Sequence, residues 1–340
     1  MDFPIAPAIA EALRAAIDRH DLGYATPAPA SLRSALAAFA RRRLGWEIDA
    51  GQVTLFPDVM DGLMELTRLL VPPGGAVAFA TPGYPPFFAE LPFAAARVEQ
   101  VPLRPDRSFD LDRLTGAIDA GVRALVLVNP HNPTGRVLPR EELAAIAELC
   151  AAREVWVLAD EIHAPLVLPR AAPTPFLETS DAARECGIAL TSASKAFNVA
   201  GLKAAFAVTA SERARDAVAR LPPLFERAGL LGLVAAEAAF TEGDEWLDAV
   251  LGHLDRNRAR LAELLAPTPV EWIPPEASYL AWLDCRALGL GDDPAAVFLE
   301  RGRVAFAHGL DYGPQGAGYV RLNFGTSPEL VEEMVRRIDI

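Results

Sequence analysis

The sequence predicts an α/β fold, with a large domain on a mainly parallel sheet and a smaller α+β domain built from the N- and C-terminal segments. Three observations carry this prediction. Short, continuous apolar runs alternate with amphipathic stretches through the middle of the chain. Three of those runs end in dense clusters of polar residues. After Pro267 the rhythm changes to shorter, more mixed segments.

The elements follow in order. Ile9, Leu13, Ala16 and Ile17 share one helical face. Residues 23–29, with Gly23, Pro27 and Pro29, form a break. Ser31 can cap a helix carrying Leu32, Leu36, Phe39 and Ala40, closed by Arg41, Arg42, Arg43 and Gly45. Another helix fits about 58–70. Val77–Ala80 reads as a strand. Residues 124–128 and 155–159 are apolar runs of the kind expected in strands buried on both faces. A helix beginning at Pro139 separates them, with Leu143, Ile146, Ala147 and Cys150 on its inner face. Residues 188–190 and 204–208 are further strands. A long helix covers 244–265. Beyond Pro267, strands at 279–283 and 319–324 flank a helix begun by Asp293-Pro294, and Ser327 caps the last helix. The expected domains are 1–26, an N-terminal segment joining the small domain; 27–265, the large domain; and 266–340, the C-terminal small domain.

Composition narrows the function classes. The 340 residues are 51% hydrophobic, enough for a large core. The net charge of −13 argues against a nucleic-acid surface, which needs a basic stripe. Cys150, Cys186 and Cys285 are scattered, without metal-ligand spacing. The amino terminus lacks a basic region followed by an apolar run, and no apolar stretch is long enough to span a bilayer. The expectation is a reduced, cytoplasmic protein with neither a membrane partner nor a metal.

The chemistry sits after the strands. In open α/β sheets, ligands bind beyond the carboxyl ends of the strands. The 124–128 strand runs into Asn129-Pro130-His131-Asn132-Pro133-Thr134-Gly135, the 155–159 strand into Asp160-Glu161-Ile162-His163, and the 188–190 strand into Thr191-Ser192-Ala193-Ser194-Lys195. If these strands are parallel neighbours, an amide, a carboxylate, an imidazole, hydroxyls and an amine converge in one crevice. That set suits pyridoxal 5′-phosphate (PLP). A lysine amine can form its Schiff base, and a carboxylate can keep the pyridine nitrogen protonated.

At these residues the sequence resembles the fold-type I, class I/II aminotransferase-fold PLP enzymes, and among them the MalY/PatB-type cystathionine β-lyases. The resemblance runs in family order through Asp2–Pro7, Tyr84–Phe88, the 129–135, 160–163 and 192–198 clusters, Tyr279–Arg286 and Arg321–Phe324. It implies a seven-stranded α/β/α sandwich as the large domain. It implies that Lys195 carries PLP and moves the substrate Cα proton. Asp160 pairs with the pyridine nitrogen, Asn132 donates to the 3′ oxygen, His163 lies near that oxygen, and Tyr84 stacks on the ring. Ser192, Ser194 and Lys203 hold the phosphate, with the backbone amides of Val59 and Met60. Arg321 binds the substrate carboxylate. Tyr24 reaches the partner's site in a homodimer with shared active sites.

Three departures from the family pattern stand out. Lys203 replaces the usual arginine. Asp58-Val59-Met60-Asp61 replaces a glycine-containing turn beside the phosphate. The family usually carries a further arm before its Asp-Phe-Pro segment, where this sequence begins; that arm supports dimer contacts and covers the substrate entrance.

The resemblance implies C–S β-elimination from L-cystathionine or another L-cysteine S-conjugate. Transamination between an L-amino acid and a 2-oxo acid would use the same residues. A PLP-binding regulator would need an appended basic helix-turn-helix, which the sequence lacks. Ser192-Ala193-Ser194-Lys195 also matches the Ser-x-x-Lys of penicillin-binding enzymes, but no Ser-Asp-Asn or Lys-Thr-Gly accompanies it.

Overall fold

The protein is represented by a computed structural model that describes residues 1–20, 22–24, 29–95, 97–222 and 228–338. The large sheet contains β1 (Val53–Phe56), β2 (Ala76–Thr81), β3 (Arg97–Pro102), β4 (Val122–Val128), β5 (Trp156–Asp160), β6 (Gly187–Thr191) and β7 (Ala205–Val208). Their spatial order is β1-β7-β6-β5-β4-β2-β3. Neighbours from β6 to β3 pair in parallel, and β7 pairs antiparallel with both β6 and β1. The seven-stranded, mainly parallel sheet expected from the sequence is therefore present.

Side chains alternate between two layers because successive strand residues point to opposite faces. Along β4, Ala124, Val126 and Val128 join the layer under the Val59–Leu70 helix, whereas Leu125 and Leu127 join the layer under the Arg140–Ala152 helix. Both faces are dry, so the central strands are written almost wholly in apolar residues. One edge strand, β1, is only the short run Val-Thr-Leu-Phe, and the other, β3, lacks that signature. β3 reads Arg-Val-Glu-Gln-Val-Pro and fully buries only Val101. Charge and proline at an edge discourage pairing with another chain, and they also erase the apolar run.

A second sheet contains β8 (Glu271–Trp272), β9 (Leu280–Asp284), β10 (Ala307–His308) and β11 (Tyr319–Asn323), in the antiparallel order β10-β11-β9-β8. The 22-residue Asp244–Leu265 helix leads into it. The N-terminal segment touches both parts. The Asp2 amide donates to the Gly325 carbonyl, whereas the Pro7–Asp18 helix packs on the Leu230–Glu242 helix. The expected boundary at 26/27 falls among residues 25–28, outside the described residues.

Local signals were partly redirected. The Ala30–Leu44 helix starts one residue before Ser31, with Pro29 in the cap position, so Ser31 does not cap it. Gly45 ends that helix at φ +63°, a left-handed conformation that suits glycine. Arg42 and Arg43 also reach across to Asp244 (2.8 Å) and Asp248 (2.5 Å) near the start of the Asp244–Leu265 helix. All three cysteines are buried; burial raises each thiol, with Cys186 and Cys285 pushed to about 12. Among the described residues no helix is long and apolar enough to cross a membrane, and no acid, histidine or cysteine cluster could hold a metal ion.

Glu161, the residue after β5, is 1% exposed. Its Oε1 accepts the Phe176 amide at 2.6 Å, and its Oε2 has no partner among the described residues. Burial pushes this carboxyl up to about 8. A carboxyl whose pKa rises on folding favours the folded state most while it stays protonated. That contribution is complete below 4.5 and is lost as pH rises to about 8. The limiting slope is about 1.4 kcal/mol per pH unit. Glu161→Gln keeps the acceptor for Phe176 and removes the titration. Its urea midpoint should overtake the wild type's as pH rises through that window, and parallel profiles would show that Glu161 is not the titrating group.

Gly232 tests the packing near the site. A Cβ there would lie 2.2 Å from the Leu202 carbonyl oxygen, one residue before Lys203. Within an exposed helix, glycine to alanine stabilises by about 1 kcal/mol. Here Gly232→Ala should instead destabilise by about 1–3 kcal/mol in urea unfolding, because overpacking outweighs propensity.

Candidate active site

β4, β5 and β6 are parallel neighbours, with Val128 level with Asp160 and Asp160 level with Leu190. Their carboxyl ends therefore open on one edge. A cavity of about 640 Å³ lies there, lined by Asn132, Asp160, His163, Ser194 and Lys195. Tyr84, Val59, Met60 and Lys203 complete one side, and Arg321 enters from the small sheet.

Lys195 sits in the short Ala193–Ala196 helix. Ser192 caps that turn: its hydroxyl accepts the Ser194 amide at 3.0 Å and donates to the Ala204 carbonyl at 2.6 Å. Burial lowers the Lys195 pKa; Asp160 opposes this, while Arg321 and Lys203 reinforce it. The amine is thus easier to deprotonate than a surface lysine.

Asp160 is buried, and its Oδ1 accepts the Ile162 amide at 3.1 Å. Its other oxygen takes no hydrogen bond among the described residues. Burial pushes the carboxyl up to about 6, with the Ile162 amide and Lys195 pulling it back. A desolvated carboxylate of this kind gains strongly from an added cation or N–H donor. His163 is also buried, its Nδ1 without a partner among the described residues, and burial brings it down to about 3. It is a neutral imidazole at physiological pH.

Asn132 Oδ1 accepts from Arg321 Nη1 at 3.2 Å, which fixes the orientation of the amide. The Arg321 guanidinium lies 5.1 Å from the centre of the Tyr312 ring, and its Nε is buried without a partner. Tyr84 caps the Pro85–Glu90 helix and meets Phe87 edge-on at 5.5 Å.

At the other end, the Val59–Leu70 helix points its first turn into the cavity. Asp58 caps it and also pairs with Lys203. Burial raises the Asp58 carboxyl, but Lys203 and the Asp61 amide outweigh this and the net shift is downward. Burial raises Asp61, and neighbouring Asp58 adds to the rise.

Two expected site residues are placed elsewhere. Ser192 does not line the cavity, because its hydroxyl is committed to the turn and to Ala204. Tyr24 is 93% exposed in the single chain and lies outside the cavity lining. Sequence reasoning assigned no role to Met1, Glu90, Tyr279, Leu280 and Asn323, which also line the cavity. Tyr279 alone carried a signal, as the polar-tipped aromatic opening an apolar strand. Tyr312 had none.

This donor set fits PLP. It offers an amine of lowered pKa, a buried carboxylate with an open oxygen, an oriented amide and orphaned buried nitrogens on His163 and Arg321. A helix N-terminus and an ammonium stand at the opposite end.

Comparison with known proteins agrees. Residues 1–338 match the family described as aminotransferase class I and II. Cystathionine β-lyase PatB of Bacillus subtilis (strain 168) is 34% identical, covering 99% of this chain and 89% of the relative. A cystathionine β-lyase of Corynebacterium glutamicum is also 34% identical, across 99% of this chain and 90% of the relative. The PLP-bound C–S lyase of Staphylococcus hominis, complexed with the inhibitor L-cycloserine, superposes with a TM-score of 0.92 at 26% identity, covering 99% of this chain and 89% of that one. The chain belongs to the class I and II aminotransferase family and is a PLP-dependent enzyme of the branch that holds the PatB- and MalY-type lyases.

Proposed function

We propose that the protein is a C–S β-lyase that cleaves L-cystathionine or another L-cysteine S-conjugate to pyruvate, ammonia and a thiol. The carrying observation is the convergence of Lys195, Asp160, Asn132 and Arg321 in one cavity. The lyase relatives direct the choice of reaction.

Lys195 holds PLP through its Nζ and then takes the proton from the substrate Cα, a role its lowered pKa supports. Asp160 pairs with the ring nitrogen. Asn132, held by Arg321, presents its amide to the 3′ oxygen, and His163 meets the same oxygen as a neutral imidazole. Tyr84 covers the ring face. Ser194, Lys203 and the Val59 and Met60 amides hold the phosphate, with Ser192 acting through the turn that it caps. When bound, PLP supplies the electron sink that makes the Cα proton removable. Arg321 fixes the substrate carboxylate, so that Cα faces Lys195 and the sulfur on Cβ can depart.

Ile17, Leu22 and Tyr24 are all at least half exposed in the single chain. That apolar surface supports a homodimer in which Tyr24 of the partner subunit completes the site. The absence of cysteine pairing fits a cytoplasmic setting.

Transamination is the second reading, favoured by the family's name and by the identity of the catalytic set. The two readings part on the acceptor. The enzyme with L-cystathionine alone should release pyruvate in catalytic amounts, and Lys195→Ala should abolish both that release and the visible absorbance of bound PLP. No pyruvate from L-cystathionine alone, together with conversion of an added 2-oxo acid to its amino acid, would establish the transaminase instead.

Arg321 separates binding from chemistry. Losing a charged, two-point contact with the carboxylate should raise KM about 10- to 100-fold in Arg321→Ala. The Arg321→Lys variant should recover only part of that loss. An unchanged KM in both variants would move carboxylate recognition elsewhere.

A further inference from the structure

Asp58 holds both kinds of donor that a phosphate would use at this end of the cavity. Its Oδ1 accepts the Asp61 amide at 2.8 Å, in the first turn of the Val59–Leu70 helix. Its Oδ2 bonds the Lys203 ammonium. One carboxylate thus ties the helix N-terminus to the nearby cation.

The charge balance around it is unusual for an anion site. Asp58, Asp61 and Glu90 line the cavity beside Lys203. All three acids act on the Lys203 ammonium, raising its pKa, the direct bond from Asp58 most strongly. A phosphate arriving here would meet three carboxylates and one ammonium already engaged. Helix N-termini do accept anions, but Asp58 already takes the Asp61 amide of that turn and one of the Lys203 donors, so its charge competes with a phosphate for the same helix end and the same cation.

We infer that Asp58 is an internal competitor for the cofactor phosphate, occupying the helix N-terminus and Lys203 until PLP displaces it. This rests on the reading that Lys203 and the Val59 and Met60 amides hold the phosphate. The consequence is a trade. Without PLP, Asp58 caps the helix and neutralises Lys203, so the empty cradle stays folded. With PLP, part of the binding free energy goes into breaking the Asp58–Lys203 bond, and PLP is held less tightly than the same donors could hold it.

Asp58→Asn isolates the effect. Asparagine caps a helix as well as aspartate, yet it brings no charge to the phosphate and holds Lys203 only weakly. Full-length protein stripped of PLP is titrated with PLP, and the dissociation constant is read from the visible absorbance. Asp58→Asn should bind PLP roughly threefold to tenfold more tightly than wild type, with the gain shrinking as salt is added. Inorganic phosphate, used as a second probe, should raise the melting temperature of the stripped Asp58→Asn protein more than that of stripped wild type. Asp58→Ser, another neutral cap, should behave like Asp58→Asn and serves if the first variant folds poorly.

Lys203→Ala separates the inference from its premise. It should weaken PLP binding by at least the factor that Asp58→Asn gains. If Lys203→Ala weakens PLP while neither neutral cap strengthens it, Asp58 is a helix cap only and the competition is refuted. If Lys203→Ala leaves PLP affinity unchanged, the shared donor is not a phosphate ligand, and the inference falls together with the reading beneath it.

Discussion

The whole site depends on β5 being paired in parallel with β4 on one side and β6 on the other. That pairing places the residues after three strands at one edge, within one cavity. Parallel strands require crossover helices on both faces, and those helices bury both faces. The same burial that removes water from the sheet also desolvates the groups standing at its end. Asp160, Glu161 and His163 all lie within three residues of the β5 terminus, and all are shifted toward their neutral forms mainly by burial. Fold and chemistry are therefore linked by one physical cause.

That desolvation has different consequences at adjacent positions. Asp160 keeps one oxygen open to the cavity, so a cation placed there recovers what burial cost. Glu161 points the other way and spends an oxygen on the Phe176 amide, bracing the segment that follows. His163 is left as an uncharged polar ring. Lys195, among these groups, feels burial and the positive charge of Arg321 and Lys203 against the pull of Asp160 and, more weakly, of Asp58. The strand ends leave one acid with an oxygen open to the cavity, one acid bonded into the scaffold, and one amine of lowered pKa.

The parts legible in the sequence were those written by double-sided burial. The runs at 77–80, 124–128, 155–159 and 188–190 are uninterrupted and apolar, and the polar clusters after three of them marked the site. The edge strands β1 and β3 were not read, because an edge needs no continuous apolar face and β3 is mostly polar. Side-chain commitments were equally hidden. Ser192 looks like a phosphate ligand in a string of residues, yet its hydroxyl is used once within the turn and once on the Ala204 carbonyl. Asp58 looked out of place beside a phosphate because its partner, Lys203, is 145 residues away. Tyr312 under Arg321 rests on contacts between segments whose spacing follows no local rule.

The cavity is walled by two different parts of the molecule. The strand ends supply the amine, the carboxylate and the amide common to both lyase and transaminase readings. The cavity wall facing them is made by Met1, Tyr279, Leu280, Arg321 and Asn323, from the N-terminal segment and the small sheet. These segments are fastened to each other: the Asp2 amide bonds the Gly325 carbonyl, two residues past β11. Asn198, three residues after Lys195, donates to the Phe3 carbonyl at 2.7 Å and ties the same segment to the lysine turn. A change in the N-terminal segment is thus transmitted both to the wall that meets the substrate side chain and to the turn that carries the base.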